Sequence, residues 1–353
     1  MIGNPYENIL NDREQEILKS IVNLYILKAI PVGSRKLSKF IEDKLSLSPA
    51  SLRNVMADLE ELDYIYHPHT SAGRVPTDKG YRFYVDSLKQ IEFLSQNELN
   101  EVERLKSVND VSDQILKDAS KLLGSLSQYL SIVSIPKLAD VLVFKIELVQ
   151  LSSERLLIVL ALESNIIRTV SLEMNFAVSE SNFVKLSRYL NERISGKTLG
   201  YIRDNFPRLV SDFDDKESPM IRLFVDFADK IFKDEDAQDK ILTSGTKNLI
   251  SYPEFEDIDK VKSVIELVEN KDLVIHLIDE QIDKSGTKVY IGKESGNELL
   301  EDYSIILSKY KIGNASGSIG LIGPKRMNYS RMLSIVDTIS SILSVEWFKL
   351  IFL

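Results

Sequence analysis

The segment beginning Ser48-Pro49-Ala50-Ser51-Leu52-Arg53-Asn54 constrains this chain more than any other. A serine ahead of a proline starts a helix. The hydroxyl accepts from a free amide of the first turn, and proline sits where its missing N–H costs nothing. Leu52, Val55, Met56, Leu59 and Leu62 then recur at helical spacing and form one apolar stripe. Beyond it stand a short β-prone piece, Tyr64-Ile65-Tyr66, the turn-rich run HPHTSAG, then Arg74-Val75 and a new helix opening at Thr77.

Two further helices are expected upstream. Ile17, Leu18, Ile21, Val22, Leu24 and Tyr25 line one face between Asp12 and Lys28, with Asn11 or Asp12 as the cap. Pro31 and Gly33 end that helix, and Ser34 is expected to cap a second one that buries Leu37, Phe40 and Ile41. Helix, helix, helix, hairpin is the order of a winged helix-turn-helix, which binds double-stranded DNA by placing one helix in the major groove.

With its stripe inward, the third helix turns Ala50, Asn54 and Ala57 outward, and Ser51 and Arg53 lie on the flanks. Small side chains allow close approach, while asparagine suits adenine edges and arginine suits guanine edges. A solvated helix face would look the same, so this helix alone leaves both readings open. The hairpin adds Thr70, Ser71 and Arg74, able to reach a phosphate or the minor groove, and Arg35 offers a further phosphate contact. His67 and His69 could suggest a metal, but the chain has only three histidines and no cysteine. They are expected to shape the hairpin around Pro68 or touch phosphate, with no metal or cofactor required.

At 353 residues the chain exceeds one ordinary core, so two or three domains are expected. A hydrophobic share of 44% beside 27% charged residues excludes a disordered or fibrous chain. No run of about 18 uncharged apolar residues could cross a bilayer, and the amino terminus has no leader pattern. A cytoplasmic protein without membrane contact is expected. Lack of cysteine excludes disulfides, thiolate zinc sites and cysteine nucleophiles. Residues 1–90 carry twelve basic and twelve acidic groups, so the whole net charge of -9 falls on the remainder. That charge argues against nonspecific nucleic-acid binding by the whole molecule, whereas a neutral head is compatible with DNA binding without being evidence for it.

Residues 90 to 135 suggest a long, interrupted helical connector. DVLVFKIELVQL, RLLIVLALES and NIIRTVSLEM predict three successive antiparallel strands. From 180 to 280 the pattern turns mostly helical, in SESNFVKLSRYLNERI, SPMIRLFVDFADKIF and DIDKVKSVIELVEN. Strands return in TKVYIGKE, EDYSIILSKYKI and SGSIGLIGP, before a last helix capped near Asn328. The expected class is α+β and multidomain, with one α/β sheet domain interrupted by a helical insertion. GSIGLIGPKR suggests either a phosphate-cradling loop backed by Lys325 and Arg326 or a strand whose glycines allow close packing. Its spacing fits neither common phosphate-loop pattern, which favours the structural use. No serine, histidine and acid set suggests a hydrolytic triad.

PHTSAGRVPTDKGYRFYVD, preceded by SLRNVMADLEELDYI, closely resembles the signature of the HrcA heat-inducible transcription repressors. VYIGKE, SIILSKY and GSIGLIGPKRMNYSRM resemble the same family, so the likeness spans nearly the whole chain, with 180 to 280 matching only in outline. The resemblance implies a winged helix-turn-helix over 1–90 and a GAF-like α/β sheet domain built from 91–178 and 285–353. It places an inserted, mostly helical dimerisation domain over 179–284. It also implies a repressor rather than an enzyme, acting as a homodimer on an inverted-repeat operator upstream of groE- and dnaK-type chaperone operons. The GroE chaperonin would modulate its activity. The chain departs from the family pattern at Asp63, usually glycine, and at Tyr66 and His67. On the residues alone, a regulator gated by a small molecule or nucleotide near Gly320 to Arg326 is the second reading. An enzyme of nucleotide chemistry is a third, with only that glycine run behind it.

Overall fold

In the computed structural model the amino-terminal order is α1 (Asp12–Lys28), α2 (Ser34–Phe40), α3 (Pro49–Glu61), β1 (Ile65–Tyr66), β2 (Val75–Pro76) and α4 (Asp78–Asp86). The structure describes residues 10–344 except 70–71, 89–90, 108–112, 137, 164–166, 177–179, 214–218, 234–240, 254–257, 271–285 and 313–314. The caps explain the helix starts. Asn11 and Glu14 bond reciprocally, side chain to amide, at 3.0 and 2.9 Å. Ser48 Oγ accepts from the Ser51 amide at 3.1 Å, and Thr77 Oγ1 accepts from the Gly80 amide at 3.1 Å.

Helix α2 differs from expectation in two respects. Gly33, not Ser34, is its N-cap and supplies no side-chain bond. Phe40 is 42% exposed, because a seven-residue helix turns only Leu37 and the following Ile41 fully inward. At the end of α3 the backbone of Asp63 is left-handed, with φ 60°. Glycine is at ease in that conformation, and a short acidic side chain tolerates it better than most. Thr77 Oγ1 donates to the Asp63 carbonyl at 2.6 Å and so fixes the turn.

The chain continues through α5 (Gln96–Glu103), α6 (Asp113–Ser127), β3 (Leu130–Ser134), β4 (Val143–Ser152), β5 (Arg155–Leu162) and β6 (Ile167–Glu173). Next come α7 (Glu180–Ile194), α8 (Leu199–Leu209), α9 (Pro219–Asp226), α10 (Ala228–Phe232), β7 (Ile241–Ser244), α11 (Thr246–Ile250) and α12 (Ile258–Glu269). Strands β8 (Lys288–Ile291), β9 (Tyr303–Ile312) and β10 (Ala315–Pro324) lead to α13 (Tyr329–Ser344). The mixed α and β content agrees with the expected class.

Sheet membership corrects the sequence reading. The three strands expected between 140 and 174 do form and pair antiparallel, but as a separate three-stranded sheet, β4-β5-β6. The other sheet has five strands in the order β7-β3-β10-β9-β8. Its β3 lies in the stretch expected to be a helical connector, and its β7 in the stretch expected to be mostly helical. The chain therefore leaves the five-stranded sheet after β3 and re-enters at β7, so the excursion opens with strands rather than with α7. Alternating burial along β5 reveals its inner face but not its neighbours. The limits near 90, 178 and 284 expected between the parts lie at or beside residues outside the described set.

The excursion has its own core, in which Phe206 packs against Phe224 and Phe232. A second core draws on residues from Leu10 to Val133 and from Ile291 to Leu343, and joins the amino-terminal helices to the five-stranded sheet. In that sheet the Tyr310 hydroxyl donates to the Ser134 carbonyl at 2.5 Å, and complete burial pushes its pKa well above the ordinary phenol value. Gly317 makes room for this ring, since a Cβ there would stand 2.5 Å from Tyr310 Cζ. At the α3 turn, Asp63→Val is expected to cost about 1–2 kcal/mol, because a β-branched residue resists the left-handed region. Asp63→Gly should change stability by less than about 0.5 kcal/mol. Urea unfolding midpoints check both.

Candidate nucleic-acid interface

Helix α3 buries Leu52, Val55, Met56 and Leu59. Ala50, Arg53, Asn54, Ala57, Asp58 and Glu61 are exposed on the other side. The exposed edge is therefore small and basic or neutral over its first two turns and acidic at its end. Ser51 is half-buried, and its hydroxyl lies 3.0 Å from that of Ser48, so it belongs to the cap as well as to the edge.

Arg35 is exposed on α2, as the sequence suggested. Lys36 and Lys39 are exposed on the same helix and were not singled out. The signal that could have found them is the segment Ser34–Phe40, which holds three cations and no acid. Ser38 Oγ donates to the Leu47 carbonyl at 2.9 Å, tying this basic helix to the turn that leads into α3.

The hairpin holds Arg74 differently from expectation. Its backbone pairs with Val32, through bonds of 2.8 and 2.9 Å, and its guanidinium reaches back to Glu60 of α3 at 2.9 Å. Its side chain is only 18% exposed. The other Glu60 oxygen lies 2.5 Å from His67 Nδ1. Glu60 thus fastens both arms of the hairpin to α3, a role that nothing in the sequence signalled. His69 is exposed, and its carbonyl accepts from the Ala72 amide at 2.9 Å. Thr70 and Ser71 lie outside the described residues. A guanidinium beside the Glu60–His67 pair is hostile to a bound cation, and among the described residues no group of three or more acids and histidines could hold one.

The glycine run near the carboxyl end is not a loop. Gly317 to Pro324 lie within β10, paired residue for residue with β9, and a Cβ at Gly320 would collide with the Ile306 carbonyl. Lys325 Nζ donates to Asp78 Oδ1 at 2.7 Å. The structural use favoured from the sequence is therefore the one these glycines have. The glycines serve close strand packing, and the lysine is spent on an ion pair. A cleft of about 1060 Å³ opens elsewhere, beside the β4–β5 turn and α9, with Glu154, Arg155, Arg222 and Asp226 on its walls. It includes none of the residues from Gly320 to Arg326 and mixes both signs of charge. No described helix is long and apolar enough to cross a membrane.

Comparison with known proteins shows which family the chain belongs to. Residues 113–333 match the family model described as HrcA protein C terminal domain. The chain is 37% identical over 346 residues to the heat-inducible transcription repressor HrcA of Chlorobium phaeobacteroides (strain BS1), covering 95% of this chain and 97% of that protein. It is 34% identical over 338 residues to the repressor of the same name from Halalkalibacterium halodurans, covering 94% and 96%. A crystal structure of a hypothetical protein shares the overall fold, with a TM-score of 0.64 at 26% identity over 95% of this chain and 99% of that one. Likeness of this extent and identity makes the chain a member of the HrcA family of heat-inducible transcription repressors, which are not enzymes.

Proposed function

We propose that this chain represses chaperone operons of the groE and dnaK type by binding an inverted-repeat operator as a homodimer, with α3 of each subunit in a major groove. The observation that carries the reading is the outer edge of α3, where Ala50 and Ala57 flank Arg53 and Asn54. The alanines permit close approach, Arg53 can pair with a guanine edge and Asn54 with an adenine edge. The acids Asp58 and Glu61 disfavour phosphates at the far end, so the amino-terminal half of α3 faces the groove. Arg35, joined by Lys36 and Lys39, supplies phosphate contacts from α2, Ser51 adds one at the start of α3, and Thr70 and Ser71 add further ones. Arg74 contributes through Glu60 by setting the angle of the hairpin on α3.

In this reading residues 1–90 are a winged-helix head. The five-stranded sheet with α5, α6 and α13 is a GAF-like domain made from two chain segments, and the excursion from β4 to α10 is the inserted dimerisation domain. Support for a dimer comes from the outer face of the three-stranded sheet. Val149, Leu157, Val159, Ala161 and Ile167 follow one another across its paired strands, and Ile167 is 69% exposed. Lys145 and Glu147 stand on the same face and can exchange partners across a two-fold axis. Modulation by the GroE chaperonin and a cytoplasmic location belong to the same proposal and are supported by family membership.

The purified protein should retard a fragment carrying the inverted repeat. Arg53→Ala or Asn54→Ala should weaken that binding by about tenfold or more, from the worth of one base-edge pair, with an unchanged circular dichroism melt. Equal affinity for scrambled DNA at moderate salt would defeat the proposal. The salt dependence of binding separates the two arginine roles. Arg35→Ala should reduce the slope of log affinity against log salt by about 0.9, as for one lost phosphate contact. Arg74→Ala should weaken binding with the slope unchanged, and a reduced slope there would make Arg74 a phosphate ligand instead.

A further inference from the structure

The two segments that carry the family likeness meet in space. Arg82 of α4 donates Nε to Glu294 Oε1 at 2.8 Å, although the residues are 212 positions apart. Its Nη2 donates to the other Glu294 oxygen and to the Val289 carbonyl, the latter at 2.6 Å. Asp86, one turn along α4, accepts from Nη1 at 3.3 Å. At the start of the same helix, Asp78 accepts from Lys325 Nζ at 2.7 Å and from the Lys293 amide at 3.3 Å. Gly292, left-handed at φ 55°, passes so close that a Cβ would strike the Asp78 carboxylate. Between the two ion pairs the ring of Tyr81 lies 6.2 Å from that of buried Tyr329.

Asp78, Arg82 and Asp86 recur at a spacing of four and form one face of α4, which is thereby committed to the body. Burial opposes the charge on Arg82, yet Glu294 and Asp86 hold its pKa above even the usual guanidinium range. An apolar contact resists separation but tolerates rotation, whereas a two-pronged guanidinium–carboxylate pair fixes an angle. We propose that Asp78, Arg82, Glu294 and Lys325 are positioning residues for operator binding, which fix the direction of α3 relative to the body and hence the spacing and phase of the two α3 helices in a dimer. The inference rests on the dimeric operator reading. It assigns these four residues no contact with DNA.

The full-length protein is titrated with three DNA fragments. They are the intact operator, the operator with about 5 bp inserted between half-sites, which is half a helical turn, and a single half-site. Wild-type protein should favour the intact operator and bind the inserted one no better than a half-site. Lys325→Met and Glu294→Gln should each lose about tenfold on the intact operator, a typical coupling between sites. Each should keep half-site affinity within about twofold and show a smaller penalty for the insertion. Lys325→Arg, which keeps the pair with Asp78, should behave as wild type. If Lys325→Met fails to fold, Arg82→Lys serves in its place, since it keeps the charge and loses the fork. Variants that weaken half-site and operator binding equally, or keep the full insertion penalty beside a discriminating wild type, would overturn the inference alone. Wild-type protein that binds intact and inserted operators equally would remove the dimeric reading and the inference with it.

Discussion

Leu52, Met56 and Leu59 bury one side of α3 against its neighbours, and the rest of the amino-terminal architecture follows from that contact. Each such side chain stabilises the packed state by about 2 kcal/mol, so turning α3 to present another face would cost several times that amount. The exposed edge with Arg53 and Asn54 is therefore fixed without any interaction of its own. Capping by Ser48 sets where the helix begins, and the left-handed turn at Asp63 sets where it ends. Between those limits the exposed edge of α3 has little freedom, which is what the proposed base-edge recognition requires.

The same logic extends outward in two steps. Glu60 fastens the hairpin to α3 through Arg74 and His67, and Arg74 also binds Val32 ahead of α2. Helix α4 then carries the unit onto the five-stranded sheet through Asp78 and Arg82. Because one continuous core joins both sides of that junction, the head cannot swing without exposing apolar surface. Under the proposed function, operator affinity then depends on the integrity of the body as well as on the reading helix. Loss of packing in the body would be felt at the DNA.

What was legible in the sequence was local. Asn11, Ser48 and Thr77 signal helix starts through bonds to amides within three residues, and the α3 stripe declares its own inner face. Phe40 was misjudged because helical periodicity assumes more turns than α2 possesses. Strands β3 and β7, five and four residues long, carry too little pattern to stand out from the helices around them. The assignment of β4, β5 and β6 to their own sheet depends on partners that no local alternation names. Glu60 and Arg82 look like ordinary surface charges until hairpin closure and a contact across 212 positions supply their partners. The outward edge of the candidate site could thus be read from residue spacing, whereas the braces that hold it could not.

Because the chain contains no cysteine, a single introduced thiol can be labelled without background. The most direct measurement places an iron-chelate cleavage reagent at position 54, through Asn54→Cys, and maps strand scission on the inverted repeat. Two symmetric cuts are expected, one within the major groove of each half-site, with no localised cutting from the same reagent at Val184, an exposed residue of α7. Cleavage that is absent from position 54, or that is localised only from position 184, would contradict the claim that α3 reads the operator.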